Sequence, residues 1–408
     1  MKLSVPKIVD KLIWFLTVFI LVTYLVFEMY AWGRYAYLGA SLGIMLLSAY
    51  RHMGRIRIRV VPYYGFMLLF IGFTALSSLW ALNMSDAISK ALTLTLILLC
   101  NIMVYVHYQY EENVEKLLRA VMWAGYIIAI YAILFYGFDT IMLATEGAQV
   151  GNEFSNINTI GMTVAVACVI QVHEWLYKNS RKSVIFMVPC ILVIAATQSR
   201  KSLVLLGLGI FLVSFLKYRE SKDLMSKLGK LLLLSAAAVG VMAALYTLPV
   251  FDGIRIRMDR MIAAFLGQAG ADNSTIVRRN MTALGWEWFL KYPIGGIGIG
   301  NPHILAGRYL TRDTYLHNNY VELLCGGGIV GFAAYYGMYV YLFVRLFRYR
   351  QADQKHFEIG FVWLILMVIM DYGMVSYYSK DHWFYLMIHF LNVASMKRTD
   401  RGMRNAHK

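Results

Sequence analysis

A chain of 408 residues that is 59% hydrophobic and only 15% charged is excluded from the soluble globular class. Its formal net charge of +16 raises nucleic acid as a partner. Long hydrophobic runs recur from end to end, however, and positive charge retained on the cytoplasmic side of a membrane accounts for the excess better. The expected architecture is an all-α polytopic membrane protein, one integral membrane domain over residues 1–408, with the lipid bilayer and not nucleic acid as its setting.

The first apolar run, Trp14–Phe27, is followed by Glu28-Met29-Tyr30 and not by small residues, so it reads as a first span, not a cleaved signal. Twelve spans follow from the hydrophobic pattern, at 12–30, 35–50, 61–81, 88–107, 120–138, 157–176, 184–198, 202–217, 231–249, 325–344, 357–374 and 383–396. With both termini inside, the cytoplasmic segments hold 26 of the 39 Lys and Arg. Eight of the other 13 lie in one long external loop, where the positive-inside rule loses force. The basic run Arg51–Arg59 then reads as a cytoplasmic anchor on anionic lipid. Cys100, Cys168, Cys190 and Cys325 lie in or beside apolar runs without CxxC spacing, and read as small apolar fillers.

Thr197-Gln198-Ser199-Arg200-Lys201-Ser202 makes a tight turn between two apolar runs on the external side, where cations are disfavoured. Lys201 suits snorkelling to headgroups. Arg200 is the better candidate for a phosphate, because a guanidinium grips it by two parallel hydrogen bonds. The external loop, 250–324, is the largest segment outside the spans. Asn273-Ser274 is a plausible cap, and Val277, Met281, Leu284 and Trp288 then recur at helical spacing until Pro293. This predicts an amphipathic helix lying on the outer leaflet, with Arg278 and Arg279 near its start. The run Gly295–Asn301 reads as a flexible turn.

The loop closes on Thr314–Gly331, TYLHNNYVELLCGGGIVG. Here His317 stands where chain emerging into water re-enters the bilayer, wetted on one side and packed on the other, as a catalytic base requires. Asn318, Asn319 and Glu322 read as substrate-positioning groups, and Gly328 and Gly331 as the means of seating the histidine. Gly326–Gly328 suggests a close helix contact. His303 reads as a surface or substrate-contact residue, and Asp371 as a group able to orient His317 or pair with an arginine. With no HxxxH spacing and no paired acids nearby, neither a bound metal nor another cofactor is expected. One histidine with several arginines suits a lipid-linked pyrophosphate donor. Arginines neutralise charge developing on the phosphates, while the histidine takes a proton from the attacking hydroxyl.

The arrangement resembles the O-antigen ligase and O-antigen polymerase family of bacterial surface-polysaccharide enzymes. The likeness runs over residues 150–335 and rests on Gly151–Gly161, on Thr197–Arg200, on Arg278 ahead of Pro293 and the following Gly-x-Gly-x-Gly, and on His317-Asn318 with Gly328 and Gly331. Thr282 departs from the aromatic residue expected after the arginine, so Arg278 and Arg279 both stay candidates. The resemblance implies metal-independent transfer of a glycan from undecaprenyl pyrophosphate to an acceptor sugar, on the external face of the bacterial inner membrane. It makes His317 the catalytic residue, Arg200 with Arg278 or Arg279 the pyrophosphate ligands, and a chain-length regulator a candidate partner. A polymerase of lipid-linked repeats is favoured over a ligase that loads finished glycan onto lipid A core or protein. A lipid-linked sugar transporter is the non-enzyme alternative, but it predicts charges at span centres and a two-fold repeat, and the sequence has neither.

Overall fold

The computed structural model describes residues 5–26, 32–56, 58–110, 114–145, 155–178, 185–219, 252–265 and 273–406, with a few single residues between them. The expected span at 231–249 and the stretch Gly151-Asn152-Glu153-Phe154 lie outside the described residues. Among those described there are helices and no strands: α1 (Val5–Val26), α2 (Gly33–Arg51), α3 (Pro62–Ser77), α4 (Met84–Tyr108), α5 (Glu115–Tyr136), α6 (Phe138–Thr145), α7 (Ile157–Lys178), α8 (Met187–Thr197), α9 (Arg200–Tyr218), α10 (Asp252–Phe265), α11 (Asn273–Lys291), α12 (Pro302–Leu310), α13 (Asn319–Tyr349), α14 (Gln354–Asp371) and α15 (Lys380–Ala406). Every expected span within the described residues coincides with a helix. Six of them, α1, α4, α5, α7, α9 and α13, are long and apolar enough to cross a bilayer. The apolar α3 and α8 are shorter than that measure requires.

The chain divides into two compact units, residues 1–43, 115–272 and 354–366 forming one and residues 44–114, 273–353 and 367–408 the other. In the first unit α7 is the central helix, packed by α5, α8 and α9. Its Ala, Gly, Thr and Cys residues let neighbours approach closely. A Cβ on Gly125 of α5 would stand 2.4 Å from the Ala167 methyl, and one on Gly209 of α9 would stand 2.5 Å from Val169. At the end of α7, polar residues link the elements. Glu115 accepts from Lys178 at 2.7 Å and also from Lys355, while Arg119 reaches Glu174 at 3.1 Å. Cys100, Cys168, Cys190 and Cys325 are all free thiols and buried, as apolar fillers should be.

The second unit is built on α3, α4, α13 and α15, with an aromatic interior that includes Phe70, Tyr335, Tyr377 and Trp383. Polar groups inside it are paired: Asn101 donates to the Tyr63 hydroxyl at 2.7 Å, which donates in turn to the Trp383 carbonyl at 3.1 Å. The amphipathic helix of the long loop is present as α11, but its apolar stripe does not wait for a lipid surface. Val277, Leu284 and Trp288 pack with Met281 against Leu305, Leu316, Val321 and Cys325, so α11 is docked on α12 and α13. Burying each leucine of that cluster contributes roughly 1.5–3 kcal/mol relative to leaving it in water.

Candidate functional site

The second unit holds most of the motif residues. His317 sits just before α13 in a left-handed conformation, φ 58°, which few non-glycine residues adopt. Its two neighbours hold it there. The Leu316 N–H donates to Glu322 Oε2 at 2.8 Å, and the Leu316 side chain is fully buried. On the other side Asn318 is the N-cap, its Oδ1 accepting from the N–H groups of Tyr320 at 3.0 Å and Val321 at 3.3 Å. The half-buried imidazole rests on the Tyr315 ring, centroids 4.3 Å apart. The local sequence therefore turns a histidine outward from a clamped turn at a helix start.

Asn319, the first helical residue, is completely buried, and its amide is used at both ends. Oδ1 accepts from the N–H groups of Ser376 at 2.9 Å and Tyr377 at 3.2 Å. Nδ2 donates to the Tyr336 hydroxyl at 2.9 Å and to Asp371 Oδ2 at 3.3 Å. The Asp371 carboxylate also accepts from Tyr336 at 2.9 Å and from Ser376 at 2.5 Å. Asp371 thus supports the histidine's helix through Asn319. Asn318 Oδ1 and Glu322 Oε2 are thus spent on the turn itself, and the Asn319 amide on residues 336, 371, 376 and 377. Sequence reasoning found these three residues but not Tyr336 or Ser376, whose part depends on contacts far apart in the chain.

The glycine runs form one joint. At Gly328 the helix α13 is broken, φ 59° and ψ −163°. Donors freed by the break are taken up by the preceding loop: Ile329 N–H reaches the Pro293 carbonyl at 2.8 Å and Val330 N–H the Ile294 carbonyl at 3.2 Å. The Ile297 N–H donates back to the Cys325 carbonyl at 3.0 Å. Gly295–Asn301 is consequently an ordered, largely buried turn and not a flexible one. At Gly296 any Cβ would come within 2.4 Å of the Gly326 backbone. The loop is also fastened to the α3–α4 turn, with Ile299 N–H on Ser77 Oγ at 3.1 Å and Asn301 bonded to the Asn83 backbone. Gly331 of α13 meets Phe73 of α3 in a close packing contact.

His303, expected at the surface or against substrate, is instead a bridge. Its Nδ1 lies 2.5 Å from Asp313 and its Nε2 3.1 Å from Asp86 of α4. With a carboxylate at each nitrogen, both must donate, which is the protonated imidazolium. Partial burial works to lower its pKa, but the bonds to Asp313 and Asp86 outweigh it and hold the group above its ordinary value. A raised folded-state pKa contributes stability that is full below the unfolded pKa and is lost as pH rises through the folded one. The thermal midpoint of the wild type minus that of His303→Gln should therefore be largest near pH 6 and shrink as pH rises. A difference that stays constant with pH would show that the bridge carries no charge.

On α11, Arg278 is half-buried and one turn from buried Met281, whereas Arg279 is exposed on the face carrying exposed Ala283 and Trp286. Arg200 belongs to the first unit, as the first residue of α9. The connection before it is only Gln198-Ser199. Gln198 takes a left-handed conformation and donates to the Ala144 carbonyl at 2.8 Å, and Ser199 caps α9 by accepting from Ser202 N–H. These two polar side chains are therefore buried, Gln198 tied to α6 and Ser199 to the start of α9, with Arg200 and Lys201 half-buried at the helix start.

No curated protein matches the chain. The family model described as O-antigen ligase matches residues 185–336, from just before α8 to the middle of α13, and so takes in the Arg200 hairpin, α11, the glycine joint and His317. It begins later than the expected 150, leaving Gly151–Gly161 outside, and it ends within one residue of the expected 335. Over this segment, which is less than half of its length, the chain is similar to the O-antigen ligase family.

Proposed function

We propose that this protein is a membrane glycosyltransferase that polymerises lipid-linked polysaccharide repeats. It moves a glycan from undecaprenyl pyrophosphate to an acceptor sugar hydroxyl on the external face of a bacterial inner membrane. The observation that carries this reading is the clamped left-handed turn at His317, held by Glu322 and Asn318 inside the family-matching segment. Holding a base in one geometry before substrate arrives is what lowers the entropic part of the barrier.

In this mechanism the acceptor hydroxyl lies on the imidazole, which takes its proton as the oxygen attacks the anomeric carbon. The bond to the pyrophosphate oxygen breaks, and the anomeric configuration inverts. Arg278, favoured over Arg279 by its partial burial, neutralises the leaving diphosphate, and we assign Arg200 to the same role from its chemistry. Asn318, Asn319, Glu322 and Asp371 are positioning residues. The twelve-span topology with both termini cytoplasmic is retained from the charge asymmetry, and the reaction as proposed uses no metal. Transfer of finished glycan to lipid A core or protein is the alternative reading within the same family.

Purified protein given lipid-linked repeats in EDTA should produce a ladder of extended chains resolvable by size. Arg278→Lys and Arg200→Lys should lose at least about tenfold in rate, because an ammonium cannot reproduce the two-point grip, while Arg279→Lys and Lys201→Gln stay within about threefold. A single transfer to lipid A core with no ladder would replace the polymerase by the ligase. Equal small effects in all four variants would remove the arginines from the phosphate site.

A further inference from the structure

The segment between the start of α11 and His317 carries an aromatic shelf that the proposed reaction does not use. Trp288 and Tyr292 lie nearly parallel, centroids 5.9 Å apart and planes 19° from each other, and Tyr309 of α12 adjoins Trp288 at 6.2 Å. Tyr292 is 51% exposed and Tyr309 is 55% exposed. Trp288 is fixed from behind, since it packs on the cluster containing Leu305 and Leu316. The rings therefore stand on the same rigid support as the residue preceding His317, and ordering them on a ligand costs little further entropy. Lys291 lies 4.9 Å from the Trp288 centroid and pairs with Glu287 at 2.7 Å, which puts charges of both signs beside the rings.

We propose that Trp288, Tyr292 and Tyr309 form a binding subsite for pyranose rings of the acceptor glycan, leading its reacting end toward His317. A pyranose has an apolar face of C–H bonds and a rim of hydroxyls, so it stacks on a fixed aromatic ring while charged neighbours take its rim. Tryptophan and tyrosine also gather at membrane interfaces. A lipid surface would shield the shelf from water-soluble reagents, and a glycan subsite leaves it open to them until the glycan binds. The inference rests on the glycan-transfer reading and adds to it a place where the acceptor is recognised.

Binding is tested apart from catalysis, using purified His317→Ala protein in nanodiscs. The probe is the oligosaccharide released by mild acid from the lipid-linked glycan that accumulates in cells carrying that variant. Tyr309→Ala and Tyr292→Ala should each weaken its binding about tenfold in calorimetry, the scale of a lost aromatic anchor, and Tyr309→Phe should stay within about threefold. Both positions are exposed, so thermal midpoints should stay at the parent value. Alanine variants that bind like the parent would overturn the subsite, with the transferase reading intact. A nitroxide at position 308, exposed beside Tyr309, should meet water-soluble nickel reagent more than oxygen and lose that access when the oligosaccharide binds. An oxygen-dominated profile would place the shelf against lipid and overturn it as well. If no lipid-linked glycan accumulates in a strain lacking the whole protein, the transferase reading itself fails and the subsite falls with it.

Discussion

Replacing His317 by alanine is expected to lower the rate of glycan transfer by about 10²–10⁴, the usual worth of general-base help, so that single lipid-linked repeats accumulate. The imidazole is the candidate base at the turn, and Leu316 and Asn318 on either side of it are bonded within the turn. Alanine at φ 58° carries its own strain, so loss of activity alone would be ambiguous. His317→Asn separates the two effects. Asparagine tolerates the left-handed region, so this variant should keep the wild-type thermal midpoint and still lose transfer. Chain extension by His317→Asn at more than a tenth of the wild-type rate would remove the histidine from catalysis.

Gly328→Ala is expected to damage the fold more than any surface change in the chain. The residue's conformation belongs to a region open essentially to glycine, and forcing another residue into it costs about 1–3 kcal/mol. A Cβ there would also stand 2.2 Å from the Ile294 carbonyl oxygen, which is backbone and cannot swing aside. The bonds from Ile329 and Val330 to the 293–294 carbonyls would be disturbed in the same movement. The expected result is a thermal midpoint lower by several degrees or more, together with loss of transfer, because the glycine joint and His317 share α13. Gly207→Ala is the comparison, since a Cβ at that helical position meets nothing within 4 Å. Equal midpoints for the two variants would show that the break is dispensable.

Helix positions were legible in the hydrophobic pattern because a span needs only a long apolar run, and every expected span among the described residues falls on a helix. The stripe Val277, Met281, Leu284 and Trp288 was equally legible as periodicity, but its partner was not. Periodicity states that a face must be covered, and whether lipid or Leu316 covers it depends on the return path of the chain. The glycines told a similar half-truth. Their composition suggested a loose turn, whereas close approach of two backbones is what requires them. The place of His317 at the entry to a helix was legible from its setting, and the bonding of its neighbours was only partly so. Asn319 looks polar and available in the sequence, yet both ends of its amide are tied to residues 336, 371, 376 and 377. Asp86, near the start of α4, gave no signal of its bond to His303 across more than 200 residues of chain.

The break in α13 also divides the helix into a part that fits a bilayer and a part that does not need one. An uninterrupted helix of 31 residues is about 46 Å long, far more than a hydrocarbon core of about 30 Å accepts. Interruption at Gly328 leaves Ile329–Tyr349 as the membrane-crossing part, which at 1.5 Å per residue comes to about 31 Å and matches that thickness. With that part spanning the hydrocarbon, the turn ahead of the break, with buried Asn319 and Glu322, would stand at the level of the headgroups, where polar side chains are cheap to keep. In the proposed reaction a polyprenyl chain dissolved in the same hydrocarbon would present its phosphates at that level too, so donor and histidine would meet without either leaving its own layer.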